Sequence, residues 1–172
     1  CRPRAVSSSN LHRHAAATSH LEVTCLLDQR RPLADGRAHS AIDAELGRKF
    51  RRPALLQAAL PQTSAGEGKA RINNERQDFL GDRVLALVIA ERLYRDFPGE
   101  GESGLAPRLN ALGNRAACAR AARRASLGAA LIVSRSEEAG GGRDKEAILA
   151  DACEAVIAAL CLDGGLKAAR DF

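Results

Sequence analysis

The chain has 172 residues, 45% of them hydrophobic and 27% charged, which suits one soluble globular domain with a real core and room for a tail. Aromatic residues are only 3%, so close-packed helices are favoured over a sheet, and no stretch nears the roughly 20 apolar residues that span a bilayer. The formal charge of +5 suits a polyanion such as nucleic acid, although an arginine-rich composition gives the same sum without any such partner.

Residues 1–40 differ from the rest. They hold His12, His14, His20 and His39, a serine run, and no acidic residue before Glu22. An Arg- and Ser-rich, acid-poor start of this kind is either a targeting segment or, more simply, a poorly ordered leader. The histidines show no metal-ligand spacing. Cys1, Cys25, Cys118, Cys153 and Cys161 contain no CxxC pair and are odd in number. That predicts a reducing, cytoplasmic setting and argues against zinc, with Cys153 and Cys161 as small core residues. The chain has no methionine and stops at Phe172 inside a helical pattern, which suggests a fragment or a processed chain.

From Ala41 a helical pattern begins. AIDAELGRKF reads as a short amphipathic helix ended by Gly47, and Pro53 opens a second helix over PALLQAAL. Residues 61–72 are rich in glycine, serine and charge and read as a loop. A long helix follows over Asn74 to Tyr94 and ends near Phe97-Pro98-Gly99. Its Val84 to Ala90 segment is apolar at every position, which predicts burial on all sides. Leu105 to Ala125 reads as helix broken at Pro107 and Gly113, with arginines outward; Ala129 to Ser134 as a short helix; Glu138 to Lys145 as a loop. EAILADACEAVIAALCLD is a second strongly apolar helix, ended by Gly164-Gly165, and Leu166 begins another. No alternating run appears, so the expected fold class is all-α.

The chemistry gathers on the two apolar helices. Glu75, Asp78 and Asp82 are three and four apart and fall within roughly a 60° arc of one helix face. Asp151 and Glu154, three apart, share a face of the other helix. Like charges crowded amid alanine, valine and leucine must be exposed at a rim, protonated, paired with cations such as Arg76, Arg83 or Arg115, or metal-bound. Oxygen-only ligands suit Mg²⁺ or Mn²⁺, the usual apparatus of phosphodiester hydrolysis. A ferritin-like di-iron site would need Glu-x-x-His, and no histidine follows His39.

The same residues carry a family resemblance. NERQDFLGD is similar to the ribonuclease III hallmark NERLEFLGD, and ILADACEAVIAALCLDGG resembles the second block of that family, ILADxxEAxIGAxYLDGG. LYRDFP, GEGES, LNALGNR and SEEAGGGR lie between them in matching order, so the resemblance runs from about Ala41 to the end. It implies a ribonuclease III endonuclease-domain helical bundle over residues 41–172. It further implies metal ligands at Asp78, Asp82, Asp151 and Glu154, with Asp82 and Glu154 catalytic and Glu75 and Glu102 supporting. A homodimer through the hallmark helix, with Phe79 at the contact, is implied as well. The implied activity is Mg²⁺-dependent cleavage of double-stranded RNA to 5′-phosphate and 3′-hydroxyl ends, with Mn²⁺ as a substitute metal, in ribosomal and messenger RNA precursor processing. Neither a membrane nor a small-molecule cofactor is expected.

Three positions depart from the family pattern. Asp78 stands where the family has glutamate, shortening reach by roughly 1.5 Å. Gln77 replaces a leucine, and an unsatisfied polar group there costs about 1–3 kcal/mol. Pro61-Gln62-Thr63-Ser64 stands where the family has Thr-His-x-Ser. Bacterial members also usually carry a C-terminal RNA-binding domain, and this sequence ends before one. The alternative to the enzyme is a non-catalytic, ribonuclease III-like module for RNA binding or dimerisation. Such members typically lose a carboxylate, whereas all four positions here are acidic.

Overall fold

The computed structural model describes residues 42–60 and 69–172. The expectations for residues 1–40 and for Pro61 to Ser64 lie outside these. A helical turn over residues 42–45 ends at Gly47, whose φ of +62° closes it in the left-handed region. Then come α1 (Pro53–Ala59), α2 (Lys69–Asp96), α3 (Glu102–Leu112), α4 (Arg115–Arg124), α5 (Leu127–Ala130), α6 (Arg135–Ala139), a 3₁₀ turn (Gly142–Asp144) and α7 (Glu146–Arg170). No β-strand occurs among the described residues. The all-α expectation holds.

Helix α7 is the hub. Its residues Ala155 to Leu160 are all buried, and α2, α4 and α1 pack around it. Alanine at 150, 152, 155, 158 and 159 lets the neighbouring helices come close, while Leu149, Val156 and Leu160 supply bulk to the core. Near its end the helix breaks at Gly165, whose φ of 74° and ψ of −177° are open to glycine alone. The glycine pair expected to end this helix therefore does interrupt it.

Helix α2 differs from its prediction. Val84 and Leu93 are buried, but Phe79 is 65% exposed, Leu87 52% and Tyr94 76%. The all-round burial expected from Val84 to Ala90 is not met by this chain alone. One stripe of the helix faces outward, because α1, α3 and α7 cover only its other sides.

Several boundaries also move. Helix α2 starts at Lys69 inside the expected loop, since Lys69-Ala70-Arg71 are good helix formers past the last glycine. Pro107 lies within α3 without ending it. None of the α3 residues is buried, so water can satisfy the carbonyl that proline leaves unpaired. The short helix at Ala129 shifts to Leu127–Ala130, and the chain is extended at Leu131. In the expected loop at Glu138, Ser134 accepts the Glu137 amide and caps α6, a Ser-x-x-Glu start signal. Helix α4 keeps its arginines outward and buries Cys118, Ala119 and Ala122, as expected.

Two buried amides of α2 hold α1 in place. Asn74 Nδ2 donates to the Ala59 carbonyl at 3.0 Å, and Gln77 Nε2 donates to the Leu55 carbonyl at 3.0 Å. Gln77 thus satisfies half of its polar demand, while its Oε1 is buried without a partner. At the other end of α1, Asp163 has a fully buried side chain that accepts the backbone amides of Arg51 (3.1 Å) and Arg52 (2.9 Å) and the Arg48 guanidinium (3.1 Å). Arg52 has no local side-chain cap, so α1 takes its anchor from α7.

Candidate metal centre

The carboxylates meet where α2 crosses α7. A β-carbon built on Gly81 would lie 1.8 Å from the Glu154 carbonyl oxygen, so the two backbones touch there and only glycine fits. Asp78 lies one turn before that crossing and Asp82 directly after it. Asp151 and Glu154 stand opposite on α7.

The electrostatics follow from this crowding. Burial is the main force raising the Asp78 carboxyl, helped by the charges of Asp151 and Glu75; a hydrogen bond from Glu154 works against it. Glu154 is pushed up to about 8, first by burial and then by the charge of Asp78, with Cys118 and Asp151 adding to it. Burial also raises Asp151, and the positive charge of Arg115 partly offsets the effect. At neutral pH Glu154 therefore holds a proton and shares it with Asp78. Asp78 and Glu154 act on each other as a pair, and the charge of Asp151 raises both.

The other expected residues stand differently. The Asp82 carboxylate pairs with Arg83, whose guanidinium also lies over the Phe79 ring, 5.1 Å from its centre. Asp82 lines a groove of about 330 Å³ with Leu85, Leu109, Asn110 and Asn114. Glu75 is exposed and acts on Asp78 through its charge. Glu102 is exposed in the first turn of α3. Among the described residues, no three Asp, Glu, His or Cys side chains are gathered closely enough to enclose a metal ion as they stand.

The donor set nevertheless fits a hard divalent cation. It consists of carboxylate oxygens, and Asp78 Oδ1 is buried with no hydrogen-bond partner. Two residues that sequence reasoning left aside also belong to the surroundings. The neighbouring Cys153 thiol lowers Cys118, on α4, to about 7 against the effect of burial, and Cys118 Sγ lies 3.9 Å from the Gly113 carbonyl oxygen. Cys118 in turn, with burial, raises Cys153. Only the packing of α4 on α7 brings them together, so no local spacing could announce the pair.

A family model described as Ribonuclease-III-like matches residues 52–172. The chain is 49% identical over 130 residues to Ribonuclease 3 of Caulobacter vibrioides strain NA1000, covering 75% of this chain and 56% of that protein. It is 48% identical over 132 residues to Ribonuclease 3 of Cereibacter sphaeroides strain ATCC 17029, covering 77% and 57%. The chain thus spans little more than half the length of these curated relatives. A solved structure of the nuclease domain of ribonuclease III from Campylobacter jejuni, described for flexibility in its region involved in dimer formation, matches with a TM-score of 0.71 and 37% identity, over 76% of this chain and 89% of that one. With the all-α bundle and both carboxylate helices inside the matched region, this chain belongs to the ribonuclease III family.

Proposed function

We propose that residues 41–172 are the nuclease domain of a double-strand-specific endoribonuclease that works with Mg²⁺, or Mn²⁺ in its place, and leaves 5′-phosphate and 3′-hydroxyl ends. The observation that carries this reading is the coupling of Asp78 and Glu154 at the α2–α7 crossing, with the charge of Asp151 acting on both and a buried Asp78 oxygen lacking a partner. Asp78, Asp82, Asp151 and Glu154 would hold the metal, which supplies activation of the attacking water and stabilisation of the leaving oxygen. The protein's own part is to keep these carboxylates on two helices whose backbones are in direct contact at Gly81. Glu154 gives up its proton when a cation binds, and Asp82 exchanges Arg83 for the site. Glu75 adds negative charge beside Asp78, and Glu102 is a supporting acid by family resemblance only.

The substrate on this reading is double-stranded RNA, in ribosomal and messenger RNA precursor processing in the cytoplasm. Among the described residues no helix is long and apolar enough to cross a membrane. The exposed stripe of α2, with Phe79, Leu87 and Tyr94 on one side, supports a homodimer in which two such stripes face each other. That the Campylobacter nuclease domain is described as having a region involved in dimer formation supports a dimer, without locating the contact.

The test is cleavage of a perfect RNA duplex with Mg²⁺ by the wild-type chain and by Glu154→Ala. Loss of cutting in the variant supports the assignment, and undiminished cutting removes it. Asp78, one methylene shorter than the family's glutamate, keeps the non-catalytic module in view. Duplex that is bound yet left intact across Mg²⁺ and Mn²⁺ concentrations would decide for that reading. Light scattering should give a dimer for the wild type and a monomer for Phe79→Asp.

A further inference from the structure

Helix α4, RAACARAARR, carries four arginines and no acid in 10 residues. At about 100° per residue, Arg120, Arg123 and Arg124 fall within roughly a 100° arc, opposite the buried Cys118, Ala119 and Ala122. All three arginines are exposed. Elsewhere on the surface Arg92, Arg95, Arg108, Arg143 and Arg170 each pair with an acid. On α4, Arg123 donates to the Asp144 carbonyl at 3.1 Å, and among the described residues Arg120 and Arg124 have no ion-pair or hydrogen-bond partner. Helix stability accounts for part of this pattern only. The helix dipole favours cations in the last turn, which covers Arg123 and Arg124 but not Arg120.

Helix α4 starts beside the carboxylates. Asn114, which caps it, lines the groove that holds Asp82, and the charge of Arg115 acts on Asp151. From there the helix runs about 15 Å, at 1.5 Å per residue. We propose that Arg120, Arg123 and Arg124 form a phosphate-binding track for duplex RNA, which holds backbone flanking the phosphodiester that lies at the carboxylates. The track rests on the double-stranded RNA substrate proposed above, and it does not rest on the cutting step.

The chemistry suits that partner. A guanidinium stays charged at any working pH and offers phosphate oxygens two parallel N–H donors. The carboxylate centre by itself repels a polyanion, so positive charge beside it has to draw the backbone in. Contacts of this kind position a duplex without reading its sequence. The three arginines are therefore binding and positioning residues, whose loss raises KM and leaves kcat in place. Each phosphate they neutralise releases counterions, which adds about 0.9 to the slope of log affinity against log salt.

The experiment measures binding of a perfect RNA duplex in a chelator, where nothing is cut, between about 50 and 200 mM salt. The wild type is compared with a triple variant carrying Arg120→Gln, Arg123→Gln and Arg124→Gln, since glutamine keeps the helix propensity of arginine. The salt slope should fall by about 2–3 in the triple variant and by about 0.9 in Arg124→Gln alone, which decides the matter if the triple variant fails to fold. Arg120→Lys, Arg123→Lys and Arg124→Lys together should restore the slope. As a control, Arg92→Gln with Arg95→Gln removes two acid-paired charges from α2 and should change it by less than about 1. With Mg²⁺, the triple variant should show a KM raised at least about tenfold and an unchanged kcat. An unchanged slope overturns the proposal, as does an equal loss in the α2 control, or a kcat that falls while KM stays fixed. A wild-type chain that binds no duplex at any of these salt concentrations overturns it too. A chain that binds through these arginines yet never cuts in Mg²⁺ or Mn²⁺ removes the proposed nuclease and keeps the track.

Discussion

Gly81 and the backbone of Glu154 are in direct contact, with no room for a single carbon between them. Gly81→Ala must push α2 off α7, and neither backbone can yield as a side chain would. The expected cost is about 3 kcal/mol, at the upper end of overpacking losses. Because the same contact sets Asp78 beside Glu154, duplex cleavage should fall further than stability explains. Urea denaturation and a cleavage assay at a temperature where the variant stays folded separate the two effects.

The Glu154 carboxyl, raised to about 8 from 4.5, makes stability fall with pH in the absence of divalent ions. Between these values the folded chain binds a proton that the unfolded chain has released, so each rise in pH favours unfolding. The sign is opposite to that of an ion-paired carboxylate. Thermal melts in a chelator should show Tm declining from about pH 5 to pH 8. Mg²⁺ should restore more at pH 8 than at pH 6, since it replaces the proton as the carboxylates' partner. A Tm that is flat over this range, or rises, would contradict the buried, proton-sharing site.

Asp163→Ala tests the anchor of α1. The change strands two backbone amides and the Arg48 guanidinium, although Arg48 is partly exposed and can be rehydrated. A loss of about 2–4 kcal/mol is expected. Hydrogen exchange should accelerate first in α1. Uniform acceleration across α2 and α7 would show that the clamp serves the whole bundle instead.

Asp78→Glu lengthens the carboxylate by one methylene toward the crossing. Cleavage in Mg²⁺ should rise severalfold if reach limits this site, with little change in Tm. No gain at any Mg²⁺ concentration would mean that the shorter side chain already suffices.

The bundle and the helix pair were legible in the sequence because both apolar helices carry long runs without a turn residue. Gly47, Gly113 and Gly165 mark real breaks. The outward stripe of α2 was not legible. Val84 to Ala90 is equally apolar on every face, and only the arrangement of neighbours decides which face stays uncovered. Pro107 misled because its cost depends on whether the orphaned carbonyl meets water, and α3 lies wholly at the surface. The in-phase carboxylates were readable from spacing alone. Their union across two helices rests on the backbone contact at Gly81, and the Asp82–Arg83 pair rests on side-chain orientation, neither of which is coded locally. Asp163 showed no signal: nothing in LCLDGG says that its acid will hold a helix more than a hundred residues earlier.

That long-range anchor sets an order of events. As the polypeptide leaves the ribosome, Pro53–Ala59 is made first, but the carboxylate that receives its leading amides is 111 residues downstream of Arg52. A seven-residue helix is too short to persist alone in water. Asn74 and Gln77 of α2 can engage the carbonyls of α1 earlier, but its leading amides stay without their carboxylate until α7 has emerged.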